Sequence, residues 1–244
     1  CAACHEGTVF GVHVYETYSE WLASPARVRG HQCQSCHMQP SGHMTNAAPG
    51  HGGVERHPST LATHEFPGGD SRLLKDCLKL VTQVTPGPEG KVNLNVELTA
   101  MNVGHRVPTG FVDHHLILVV NAYRDDGSAA RLIQGPRLSE FAGRLVGSAG
   151  RLFGKQLRDV NDNGPIPFWG DVATVTDSRL YPEKTDYSQF TFPAGTSRFE
   201  VRVVYRKTWQ SVADEKKWPD NEREVLMKAV QTRPDASIRS TTCP

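Results

Sequence analysis

From about residue 85 the chain alternates. Val92, Leu94, Val96 and Leu98 fall on one side with Asn93, Asn95 and Glu97 between them, the period-two pattern of a half-buried strand. Residues 115–123 form an apolar run that Arg124-Asp125-Asp126-Gly127 turns, and Phe190-Thr191-Phe192 and residues 199–205 add two further strands. Together they predict an antiparallel β-sandwich. Earlier in the chain apolar periodicity is scarce. Tyr15, Tyr18, Trp21 and Leu22 recur at helical spacing and predict a short helix ending near Ser24-Pro25, its aromatic stripe a packing face. Residues 40–69 are rich in Gly, Pro and His, and as a bare loop would be very long. Residues 135–185 lack a clear period and read as a long connection over the sheet, while Val225, Leu226, Ala229 and Val230 predict a helix over 220–230. The fold class expected is α+β: an N-terminal region of short helices and little regular structure at 1–84, a β-sandwich-like domain at 85–210, and a C-terminal helix and tail at 211–244.

Composition narrows the function. The 27 basic and 26 acidic residues leave a net charge of +1, so no long-range field gathers nucleic acid or anionic lipid. No apolar run is long enough to span a membrane as a helix. The chain opens on Cys1 without a charged or apolar leader, which reads as a targeting segment already removed.

The chemistry sits in two strings, Cys1-Ala2-Ala3-Cys4-His5 and Cys33-Gln34-Ser35-Cys36-His37. In a c-type site two thiols add to one porphyrin from a single short turn, and the histidine that follows meets the iron. With the Cys and His content of this chain, chance supplies only about 0.007 such strings, so two haem c groups are expected. Zinc knuckles and redox dithiols share the CxxC spacing, but a histidine directly beside the second cysteine suits haem better. One sulfur cannot hold both a lipid and a haem thioether, so haem at Cys1 excludes a lipoprotein anchor there. Covalent haem places the protein in the periplasm or at the cell surface. The remaining Cys77 and Cys243 read as a disulfide, with two buried thiols as the alternative.

His5 and His37 are the proximal ligands. The other histidines are His13, His31, His43, His51, His57, His64, His105, His114 and His115, an excess that six-coordinate irons would use. His64, in Thr63-His64-Glu65-Phe66-Pro67-Gly68-Gly69, is favoured as a distal ligand: the turn is tight, and Phe66 can pack on a porphyrin face. His105, in Asn102-Val103-Gly104-His105-Arg106-Val107-Pro108-Thr109-Gly110, is second. Spacing alone equally allows either to be a solvent-facing turn histidine. Met38 and Met44 are alternative ligands, although Met38 directly follows His37, and His31 could serve the neighbouring haem. His114 and His115 open an apolar strand and read as structural.

Read together, the CxxCH string, Tyr18-x-x-Trp21-x-x-Ser24, Cys33-Gln-x-Cys-His-Met38, His64-x-Phe-x-Gly-Gly69 and Gly104-His-x-x-Pro-Thr-Gly110 resemble the family of bacterial multihaem c-type cytochromes. The resemblance covers roughly the first 110 residues. It implies electron transfer through low-spin haems with paired histidine ligands, and it supports His64 and His105 in that role. Many relatives carry more than two motifs. The leading function is therefore an electron carrier between redox protein partners, with the β-domain as a docking or assembly surface and a homo-oligomer or multihaem complex as its setting. A haem enzyme with one open iron, a peroxidase or small-oxyanion reductase using Arg106, is the first alternative. A subunit of an extracellular cytochrome filament or surface complex is the second.

Overall fold

The computed structural model describes residues 1–62, 64, 71–219 and 221–232. The N-terminal region is built from short elements: helix α1 (Ala2–His5), strands β1 (Gly7–Val9) and β2 (Val12–Tyr15), and helices α2 (Thr17–Leu22), α3 (Pro25–Val28), α4 (Cys33–His37) and α5 (Ser71–Cys77). β1 and β2 form a hairpin missed in the sequence pattern. Its two-residue loop is Phe10-Gly11, both at positive φ (51° and 79°), as the twist of a tight hairpin requires.

The expected helix between the two cysteine motifs is present, but Ser24-Pro25 opens α3 rather than merely ending α2. Ser24 Oγ accepts the Arg27 N–H and donates to the Trp21 carbonyl, and Pro25 takes the first helical position. Ser24→Ala is expected to lower stability by about 1 kcal/mol, read as a shift in the denaturant midpoint with an unchanged slope. Of the predicted stripe Tyr18 and Trp21 are half-buried and Tyr15 is exposed. Leu22 is exposed and Glu20 is the one buried side chain of α2.

The expected antiparallel sandwich follows, and it begins earlier than the alternation at Val92 indicated. β3 (Leu78–Pro86), β4 (Val92–Ala100) and β9 (Thr185–Phe192) form one sheet in the order β3-β4-β9. The other runs β11-β10-β5-β6, from β5 (His115–Arg124), β6 (Gly150–Phe153), β10 (Thr196–Arg206) and β11 (Glu222–Gln231). Leu94, Val96 and Leu98 of β4 meet Leu116, Leu118 and Val120 of β5 and Phe199, Val201 and Val203 of β10 in one core. The predicted turn after β5 holds, with Gly127 N–H donating to the Arg124 carbonyl at 3.0 Å.

β5 reads as a continuous apolar run because both of its faces are covered. The inner face enters the sandwich core. Ile117 and Val119 of the outer face pack with Phe141, Leu152 and Trp209 in a second cluster. Two expectations are corrected here. Residues 135–185 are more than a connection: they supply the edge strand β6, Phe141 of the second cluster, and a separate hairpin of β7 (Lys155–Arg158) with β8 (Thr174–Asp177). The helix expected over 220–230 is instead strand β11, antiparallel to β10 with Val203 opposite Leu226. Its apolar pairs fit helical spacing, but the open edge of β10 offers a full ladder of backbone partners, and of the strand's side chains only Val225 is fully buried. The helix near this end is α6 (Gln210–Lys216), which Lys217 closes in the left-handed conformation.

Candidate haem-binding sites

Each CxxCH string folds as a single helical turn. At the first, the Cys1 carbonyl accepts the Cys4 and His5 N–H groups at 3.0 and 2.9 Å. At the second, Gln32 caps α4 through a reciprocal pair with Ser35. One turn brings positions i, i+3 and i+4 to one side, so both thiols and the following imidazole face a common space. Cys1, Cys4 and Cys36 are exposed and Cys33 is half-buried, and none of the four is in a disulfide. Among the described residues no three His, Cys, Asp or Glu side chains converge to hold a metal ion, as the closed ligand cage of a structural zinc would need.

The fold sets a second histidine opposite each motif histidine. The rings of His5 and His64 have centroids 6.2 Å apart, and those of His37 and His105 are 6.0 Å apart and nearly parallel, at 17°. Two imidazole nitrogens about 2.0 Å from one metal, each ring centre roughly 1.1 Å behind its nitrogen, put ring centres about 6.2 Å apart. Both pairs therefore have the spacing of two axial ligands on one iron, with thiols beside one member. The residues present fit a covalently attached haem at each turn.

The loop fixes the orientation of the His105 ring. Its Nδ1–H donates to the Arg106 carbonyl at 3.0 Å, which leaves Nε2 as the unprotonated nitrogen. Burial lowers its pKa, with the Arg106 carbonyl and Glu20 pulling the other way and Arg179 lowering it further. His37 is lowered too, first by burial and then by His105 and His5. Neutral imidazoles are the ligating form. Val107 and Leu180 exchange backbone hydrogen bonds at 2.9 Å and anchor the loop. Gly104 lets it lie against the helices, since a Cβ there would sit 3.2 Å from Ala26 Cβ and 3.4 Å from the Trp21 ring.

The other histidines separate by environment. His115 is buried, stacked on Trp209 at 4.2 Å, bonded through Nδ1 to the Asp113 carbonyl, and pushed by burial to a pKa of about 3. His114 packs edge-on against Tyr205. Both are structural, as their place in an apolar strand indicated. His13, His31, His43, His51 and His57 are exposed; His57 caps a turn through Ser59 N–H. Arg106 is already engaged, 3.7 Å from Asp177 and over the Tyr181 ring. Phe66, Gly68 and Gly69 lie outside the described residues. So does Cys243, and with it the expected disulfide; the half-buried Cys77 thiol is pushed up to about 11, chiefly by burial.

These sheets and turns define an α+β fold, and that fold is shared with a solved multihaem protein. The chain is similar to the crystal structure of a penta-heme cytochrome c552 from Thermochromatium tepidum, with a TM-score of 0.68 and 20% identity over 95% of this chain. The chain spans 55% of the length of that structure. No protein-family model and no curated protein matches it.

Proposed function

We propose that this chain is a dihaem c-type cytochrome, or the dihaem part of a larger one, that passes electrons between redox proteins in the periplasm or outside the cell. One observation carries the reading. Two CxxCH turns, separate in sequence, each present their histidine to a second histidine at the spacing of paired axial ligands. Cys1 and Cys4 would hold one haem between His5 and His64, and Cys33 and Cys36 the other between His37 and His105. Haem supplies the one-electron chemistry; the chain supplies attachment, ligation and a partly dry surrounding. The fold shared with a penta-heme cytochrome supports haem c as the cofactor. The sandwich, which anchors the His105 loop, serves as the frame for docking partners or assembling further haem-bearing units.

Two measurements test this. The alkaline pyridine spectrum of the purified holoprotein should give two haems per chain. The reduced spectrum should not move under carbon monoxide, because CO binds ferrous haem only where an axial position is open. A shift in about half of the haem absorbance would replace the carrier reading with that of an enzyme having one open iron.

A further inference from the structure

We infer that Glu20 and Arg179 form a buried charge pair that positions the His105 ligand and tunes the potential of the haem it serves. This rests on the ligand pairing proposed above. α2 turns a carboxylate inward where its aromatic residues were expected to pack, and the packing of the His105 loop explains why. Glu20 Oε2 accepts the Arg106 N–H at 3.2 Å and the Thr109 hydroxyl at 2.8 Å, so one carboxylate grips the loop at two points just after the ligand. The two peptides that flank the Arg106 Cα are thereby both held. The Arg106 N–H goes to Glu20, and the Arg106 carbonyl takes the Nδ1–H of His105. Glu20 thus holds the backbone of the residue whose carbonyl fixes the tautomer and rotation of the ligand imidazole.

The charge is balanced locally. Glu20 Oε1 lies 2.5 Å from Arg179 Nη1, and the two side chains are 4% and 5% exposed. Arg179 is itself held by Asp177 at 2.7 Å, by Glu16 at 3.3 Å and by the Pro108 carbonyl at 3.5 Å. Arg106 and Lys155 complete the set, Lys155 pairing with Glu16. Three carboxylates thus meet three cations, and the set as a whole is neutral. Removing one partner leaves a charge of one sign in a poorly screened place. An oxidised iron carries one more positive charge than a reduced one, so an uncompensated cation favours reduction and an uncompensated anion favours oxidation.

The test is a redox titration of the full chain with both haems loaded. Glu20→Gln, which keeps an acceptor for Arg106 and Thr109, should raise the midpoint potential of one haem and leave the other in place. Arg179→Met should lower the potential of that same haem, and Arg179→Lys should restore most of it. Opposite shifts at one haem are a result that a merely structural pair would not produce. If Arg179→Met does not yield folded protein, Arg179→Gln takes its place with the same expected sign. Unmoved potentials, equal movement of both haems, or shifts of the same sign in the two variants would overturn the inference. His105→Gly keeps this failure distinct from that of the ligand pairing: if both irons stay closed to CO in that variant, the pairing itself falls.

Discussion

Replacing His105 with glycine is expected to make about half of the reduced haem bind carbon monoxide, where none does in the unaltered protein. The ring removed is the one facing His37 at 6.0 Å, and no side chain is left in its place. The loop itself should hold. Its anchors are backbone bonds between Val107 and Leu180 and the Glu20 contacts to Arg106 and Thr109, none of which involves the imidazole. Added free imidazole should therefore refill the position and suppress CO binding. His64→Gly should open the other half, and the double variant all of the haem. If His105→Gly leaves the spectrum unmoved, another group closes that iron, with His31 and Met44 the first to replace.

Asp113→Asn is expected to stabilise the fold at pH 8 by up to about 3 kcal/mol and to remove most of its effect by pH 4. Asp113 is buried where β5 begins, and burial pushes its carboxyl from 3.8 up to about 6, against the hydrogen bond from the Thr208 hydroxyl. A carboxyl whose pKa is raised on folding contributes stability that is fully present below 3.8 and is lost as pH rises through 6. At neutral pH the fold therefore carries a buried charge, which asparagine removes while keeping an oxygen for the Thr208 hydroxyl. His115 acts in the opposite sense. Its pKa is depressed from 6.5 to about 3, so its contribution is present above 6.5 and is lost as pH falls. Denaturant midpoints of the unaltered protein and of Asp113→Asn, measured from pH 4 to 8, should converge on the acid side. Parallel curves would show that Asp113 does not titrate in this range.

Local chemistry was legible in the sequence wherever its meaning depends on neighbours along the chain. Each CxxCH string needs one helical turn to align its thiols and imidazole, and each folds as that turn. Val92, Leu94, Val96 and Leu98 announced β4 because alternation is a property of the strand itself. Where meaning depends on distant partners, the sequence was silent or misleading. Val225, Leu226, Ala229 and Val230 suit a helix, and only the open edge of β10 makes them a strand. The spacing of Tyr15, Tyr18, Trp21 and Leu22 gave no sign of Glu20, and only Arg179 and the loop at Arg106 make it the buried side chain of α2.

By itself the sequence pointed to two CxxCH turns, each with a histidine at its end, and to a β-sandwich behind them. It also offered a short set of candidate distal ligands headed by His64 and His105. The tertiary structure alone decided that His64 faces His5 and His105 faces His37, and that a buried charge pair stands behind one of the two. The reason is physical. A helical turn is specified by hydrogen bonds four residues apart, whereas the spacing between two imidazoles from distant loops is specified by everything that packs between them.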